Sequence, residues 1–223
     1  TADPMVRKYA IPELDATFTD LKVFASARQL IIVESKDIVK ECRESITAAH
    51  SANAAIPGNQ EDALKEAQEK AEKAGEILKR LQKQVKNMYG RFWSHDLNEF
   101  FLNAEQEVVE AFSTLAVIKQ EEIPPRDIPF RFQDPYLKTE TTVKVSDLAY
   151  IFGLLDCVGE LKRVIMDSLN RDDSDFAKNV FIDMQELFKK LEPLTQFSNS
   201  FHYLKPKIDA ARYAVNDAKK LVR

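Results

Sequence analysis

The amino-acid sequence predicts an all-α protein, an antiparallel bundle of six or seven long helices. Three observations carry that expectation. Apolar residues recur at intervals of three and four along most of the chain, the period of a helix with one buried stripe. Glycine is scarce, at five of 223 residues, while charged residues reach 30%, a balance that suits long solvated helices better than strands. Turn-forming residues mark only one sizeable loop, and long helices joined by short turns pack as neighbours in a bundle.

The first helix is expected from Leu14 to about Asn53, with Phe24, Ile31 and Ile38 in one apolar row and Ala25, Ile32, Val39 and Ile46 in the next. Pro57 and Gly58 close it, and Asn59 is a candidate N-cap for the second. There Leu64, Ala67, Ala71, Ala74, Leu78, Leu81, Val85 and Met88 form a heptad seam whose alanines admit a close neighbour. Gly90 ends that helix, and Ser94 with Asp96 opens a third that runs to about Lys119. Pro124, Pro125, Pro129 and Pro135 then force a loop, with Thr141 to Val145 extended or irregular. Ser146 and Asp147 cap a fourth helix over about 147–169. A polar turn at Asn170 to Ser174 leads into a fifth, which reaches about Leu191. Past Pro193 a last helical stretch continues to Val222, with Pro206 at a kink or in a first turn.

The length suits a single domain, expected over residues 5–223, with Thr1 to Pro4 read as a remnant placed ahead of Met5. Cys42 and Cys157 lie inside helical patterns, so both are expected as buried free thiols of a reducing cytoplasm. No stretch approaches the roughly 18 apolar residues of a membrane span, and no signal peptide is evident, so no membrane partner is expected. The net charge of −4 excludes a broadly basic nucleic-acid binder, so any RNA contact must rest on local positive charge.

Two pairs of acids stand out. Glu107 and Glu110 share one face of the third helix with Asn103 and Thr114, while Glu105 points to roughly the opposite side. Asp156 and Glu160 share a face of the fourth helix with Gly153 and Arg163. Val108, Val109, Phe112 and Leu115 border the first pair, and Ile151, Phe152, Leu154, Leu155, Val158 and Leu161 the second. A lone acid is ordinarily solvated, but four of them paired by face within apolar runs suit a hard divalent cation, Mg²⁺ or Mn²⁺. An ion so held activates water against a phosphodiester. Gly153 would leave room for a substrate backbone, and Arg163 would contact a phosphate or pair with Asp156. His50, His95 and His202 are not spaced for a di-iron bundle, and no Walker A loop, Cys-x-x-Cys pair or nucleophile elbow occurs. An all-helical nucleotide pyrophosphohydrolase stays open as a poorer match, because its second pair would read Glu-x-x-Asp where this chain has Asp-x-x-x-Glu.

The segment Gln106-Glu107-Val108-Val109-Glu110-Ala111 and the stretch from Tyr150 to Arg163, with Gly153, Asp156, Gly159 and Glu160, resemble the translin family, on the side of its catalytic type, translin-associated factor X. Glu34-Ser35-Lys36 and the tail from Tyr203-Leu204-Lys205 through Ala211, Tyr213 and Leu221 are similar too. The resemblance implies a seven-helix fold, hollow octamers that enclose RNA, and Mg²⁺-dependent cleavage of single-stranded or nicked and bulged RNA by Glu107, Glu110, Asp156 and Glu160, which serve as metal ligands and catalytic groups. Because the chain is shorter than the animal factors and lacks their basic extension, a homo-oligomer is expected rather than one that needs a translin-like partner subunit. A non-catalytic RNA-binding scaffold is the second reading. For RNA contact the expectation falls on Lys83, Lys86, Arg91, Trp93 and His95, with Arg163; translin carries a similar basic, aromatic segment. The alternative there is that Trp93 packs into the bundle. The Leu64 to Met88 seam and the first helix are expected to leave apolar surface for subunit contacts.

Overall fold

The computed structural model describes residues 11–54, 59–90, 97–132 and 139–223. Within them the chain forms α1 (Pro12–Ala54), α2 (Gln60–Tyr89), α3 (Asn98–Ile118), β1 (Asp127–Arg131), β2 (Glu140–Lys144), α4 (Asp147–Asn170), α5 (Ser174–Leu191), a 3-10 turn (Glu192–Phe197) and α6 (Leu204–Leu221). The all-α class and the order of the helices follow the periodicity. Ser146 caps α4 by accepting a hydrogen bond from the Ala149 amide at 3.3 Å, as expected. Asn59 stands at the N-cap of α2 without a side-chain cap bond. Pro206 falls in the first turn of α6, where a missing N–H costs nothing.

The 43 residues of α1 span about 64 Å, far more than any helix beside it. Its second half lies in the core, where Ile31, Ile38 and Cys42 are fully buried, and α2 packs antiparallel along it. The Ser45 hydroxyl donates to the Ala67 carbonyl at 2.7 Å across that contact. The heptad seam of α2 is therefore covered within the chain, with Ala67, Ala71, Ala74, Leu78 and Val85 fully buried and only Met88 exposed. That corrects the expectation of apolar surface along the seam. The exposed stripe lies instead on the overhanging start of α1, where Ile11, Leu14, Phe18 and Leu21 are each 57–61% exposed.

Between α3 and α4 the sequence reading foresaw a loop with Thr141 to Val145 extended or irregular; β2 occupies nearly that stretch, and β1, which was not foreseen, pairs with it as an antiparallel ribbon from Asp127↔Lys144 to Arg131↔Glu140. Proline at 129 is tolerated because each strand of a two-stranded ribbon has an edge with no ladder to break. Buried Ile128, Phe130 and Val143 turn the ribbon toward the core, and Lys79 of α2 donates to the Thr142 carbonyl at 2.7 Å. The ribbon returns the chain to the start of α3 before α4 begins. Glu105 then meets Ser146 and Val109 meets Gly153, so α3 and α4 run side by side in the same direction, unlike the α1–α2 pair. No helix among the described residues is long and apolar enough to cross a membrane.

Candidate functional site

The two acid pairs sit where α3 and α4 touch most closely. On α3, Val108, Val109, Ala111, Phe112 and Leu115 are buried, and they hold Glu107 and Glu110 at the edge of the core. On α4, Leu155, Cys157, Val158 and Leu161 do the same for Asp156 and Glu160. Gly153 makes the approach possible: a Cβ there would stand 2.5 Å from the Val109 Cβ and 2.6 Å from the Gln106 carbonyl oxygen. The space at Gly153 is thus filled by α3, which corrects its reading as room for a substrate. The same contact, one turn before Asp156 and beside Glu110, sets the two pairs opposite each other.

Burial and mutual repulsion act on the four acids together. Burial first, then the charges of Asp156, Glu107 and Glu160, push the Glu110 carboxyl up to about 8. Burial also raises Glu107, assisted by Asp156 and Glu160 and opposed mainly by Arg43, whose guanidinium lies 4.0 Å away. Glu160 is held below the usual carboxylate range, chiefly by a 2.6 Å hydrogen bond with His50 Nε2 and then by the charges of His50 and Arg163. Each oxygen of Asp156 accepts from Lys207 Nζ at 2.6 Å. Glu110, Asp156, Glu160, Tyr203 and Lys207 line a pocket of about 450 Å³. Beneath it burial raises both thiols, Cys42 strongly and Cys157 to about 12, with nearby carboxylates adding to each shift; both cysteines are free and buried, as expected. As the side chains stand, no three acids or imidazoles among the described residues are gathered tightly enough to chelate an ion. Lys207 and His50 occupy two of the four carboxylates instead.

Sequence reasoning missed Arg43, His50, Asp167 and Lys207. His50 was visible only as the continuation of a buried row through Cys42, Ile46 and Ala49, and its ring, 3% exposed, links Glu160 to Asp167, 3.2 Å from Nδ1. Removing it leaves two half-buried carboxylates facing each other. His50→Ala is expected to cost about 2–4 kcal/mol, a fall in melting temperature of roughly 5–10 °C. Thermal unfolding followed by circular dichroism checks this, and an unchanged midpoint would show that the clamp contributes nothing.

The remaining candidates are dispersed. Lys83 and Lys86 are exposed on α2, just past Gln82, which bonds Glu105 on the side of α3 away from the acid stripe. Arg91, Trp93 and His95 lie outside the described residues. Arg163 is exposed and lends charge to Glu160, while Lys207 takes the pairing with Asp156 considered for it. Asn103 is exposed and Thr114 buried at the two ends of the α3 stripe. Glu105 points away from that stripe, and it is buried rather than solvated: it accepts from the Ser146 amide at 2.9 Å and from Gln82 at 3.0 Å.

Comparison with known proteins places the chain in a family. The chain is 25% identical over 194 residues to an uncharacterised protein of Methanocaldococcus jannaschii, an alignment that covers 87% of this chain and 71% of that one. Among solved structures, AfC3PO in complex with duplex RNA superposes with a TM-score of 0.70 at 23% identity, covering 94% of both chains. A crystal structure of AfC3PO gives 0.69 at 23% identity over 94% and 95% of the two chains, and apo-NeC3PO gives 0.58 at 21% over 96% and 97%. These likenesses are of fold. The Translin family model matches residues 26–222, nearly the whole chain and all four carboxylates, and the chain therefore belongs to the translin family.

Proposed function

We propose that the chain is an endoribonuclease of the translin-associated factor X type, dependent on Mg²⁺ or Mn²⁺ and acting as a cytoplasmic homo-oligomer on single-stranded or nicked RNA. The observation that carries this reading is the meeting of the Glu107 and Glu110 pair with the Asp156 and Glu160 pair, where Glu110, Asp156 and Glu160 line one pocket and Glu110 is pushed up to about 8 by burial and the other three acids. Such a cluster of oxygen donors fits a hard divalent cation, which would supply charge neutralisation and an activated water for phosphodiester hydrolysis. Glu107, Glu110, Asp156 and Glu160 would hold it, Asp156 after exchanging Lys207 for the ion.

The protein's own groups do the rest. His50 fixes the Glu160 carboxylate and Arg43 offsets Glu107, while Glu110, raised by burial and its acid neighbours in the metal-free protein, would give up its proton as the ion binds. RNA as the ligand is supported by the similar fold of AfC3PO, whose structure is known in complex with duplex RNA. Assembly is supported by the exposed stripe on α1, whose 3-4-3 spacing suits helix-to-helix packing. An octamer is what the family resemblance implies, with a translin-like second subunit as the alternative composition.

Incubating end-labelled single-stranded RNA with the protein in Mg²⁺, Mn²⁺ or EDTA tests the assignment. Cleavage with either ion and none with chelator is expected. Cleavage indifferent to EDTA overturns it. Binding without cleavage under every divalent ion would favour a non-catalytic scaffold, and release of pyrophosphate from a nucleoside triphosphate would favour the pyrophosphohydrolase reading.

A further inference from the structure

Next to the acidic pocket lies a groove of opposite charge. Lys36, Lys40 and Arg43 stand at spacings of four and three on α1, which places them on one side of the helix, and they line a depression of about 550 Å³ whose other wall is Phe100 and Asn103 of α3. Arg43 forms its inner end, 4.0 Å from Glu107. Arg28 extends the basic row outward, its guanidinium 5.2 Å over the Phe100 ring.

These cations are poorly neutralised. Lys36 makes no ion pair among the described residues, and Lys40 lies 3.9 Å from Glu44, whose carboxylate is engaged at 2.5 Å by Lys70. A second observation is independent of charge. Ser35, 9% exposed, lines the groove, and its hydroxyl has no hydrogen-bond partner among the described residues. Helical serines usually donate to the carbonyl one turn back, as Ser26 does to Lys22 and Ser51 to Thr47, both at 3.0 Å. Ser35 therefore keeps an unsatisfied hydroxyl buried in the wall of a cleft lined by Lys36, Lys40 and Arg43 and at one side by Glu44, and a shift of the side chain toward the cleft would let an anionic oxygen satisfy it.

We infer that this groove binds the sugar–phosphate backbone of an RNA strand on one side of the bond to be cut. Lys36 and Lys40, about 6 Å apart along the helix, would each meet a phosphate, and Arg43 would hand the strand to the carboxylate pocket. Asn103 offers both a donor and an acceptor to a base or a ribose hydroxyl. An acidic peptide satisfies the same charges, but continuity with a site built to receive a phosphodiester favours the nucleic acid. The inference rests on the proposed function for its choice of nucleic acid over an acidic peptide, while the binding itself is measured without cleavage.

The test is binding of a fluorescein-labelled single-stranded RNA in EDTA, measured by anisotropy over a series of salt concentrations. For the double variant Lys36→Glu, Lys40→Glu the Kd is expected to rise at least about tenfold, and the slope of log K against log salt to become shallower by about 1.4, two single-strand phosphate contacts. Lys36→Gln with Lys40→Gln should give the same change of slope with a smaller loss. Lys178→Glu with Lys189→Glu on α5 makes an equal charge change elsewhere and controls for net charge. All these side chains are exposed, and circular dichroism verifies folding.

A double variant that binds no worse than the α5 control overturns the inference. So does competition by polyglutamate as effective as by unlabelled RNA, which would point to an acidic protein partner. Binding lost through Lys36 and Lys40 in a protein that never cleaves RNA leaves the groove standing and removes the nuclease reading. Mg²⁺-dependent cleavage that is indifferent to both substitutions does the reverse, and a wild-type protein that binds no RNA removes both.

Discussion

Glu110→Gln is expected to abolish cleavage while making the metal-free protein more stable. The change deletes one oxygen ligand and one charge from a site whose whole contribution is electrostatic, so a loss of about 1000-fold or more is expected in the rate of RNA cleavage with Mg²⁺. Stability runs the other way. Below the ordinary carboxylate range the folded and unfolded chains both hold the Glu110 proton and nothing is at stake. As pH rises toward about 8 the unfolded chain loses a proton that the folded chain keeps, so stability falls across that window, by a few kcal/mol in order of magnitude, and levels off above it. Glu107, also raised, adds in the same direction. Glu160, lowered by His50, opposes it: its stabilisation is complete above the ordinary carboxylate range and is lost as pH falls through its folded value. In EDTA at pH 8 the glutamine variant should therefore melt above the wild type, with the gap closing toward pH 4.5. Adding Mg²⁺ should raise the wild-type midpoint and leave the variant's nearly unmoved. A variant that melts lower than wild type at pH 8 in EDTA would show that Glu110 carries no unfavourable charge.

Two glycines on α4 should respond to alanine with opposite signs. Alanine favours a helix over glycine by about 1 kcal/mol, and at Gly159, where a Cβ meets nothing within 4 Å, that gain should appear in full. At Gly153 the same methyl would press on the Val109 side chain and on the Gln106 carbonyl, and a main-chain oxygen cannot turn aside. Overpacking of this kind costs up to about 3 kcal/mol or more, leaving a net loss of about 2 kcal/mol and a melting temperature lower by roughly 5–8 °C. Because α3 and α4 must part where their acids face, Gly153→Ala should also lose the stabilisation by Mg²⁺. Urea titrations of both variants read the effect, and a shift of both midpoints in one direction would mean that the helices do not cross at Gly153.

The contrast between those glycines also shows where reading a sequence stops. Helix identity was legible because 3.6-residue periodicity is written locally, and α1, α2, α4 and α5 begin and end close to where their caps and breakers put them. β1 was hidden because Pro124, Pro125 and Pro129 signal a loop, while the strand depends on a partner and on the α2 face beneath it. The acid pairs could be found because a carboxylate inside an apolar run is anomalous on its own helix. Their neutralisers could not, since His50 is 110 residues from Glu160 and Lys207 is 51 from Asp156, and no local pattern announces either meeting. Gly153 was recognised as special for the wrong reason, because space beside a glycine belongs to whatever packs there. The apolar seam of α2 was read correctly as a seam, yet only the position of α1 decides that it is satisfied inside the chain.

Apart from Arg163 on α4, the countercharges of the site come from helices other than the two that carry the acids. Arg43 and His50 belong to α1 and Lys207 to α6, so the acids that crowd the α3–α4 contact also draw the flanking helices inward through Glu107, Glu160 and Asp156. Acids and bases here are coupled as inherited traits. A descendant that lost Asp156 and Glu160 by drift would leave the Lys207 ammonium without its paired carboxylate and His50 with Asp167 alone, so the first loss creates selection for a second, at positions far away in the gene. Catalytic decay along such a lineage would proceed in paired steps, and the residues at 50 and 207 would record whether an ancestor's site was still intact.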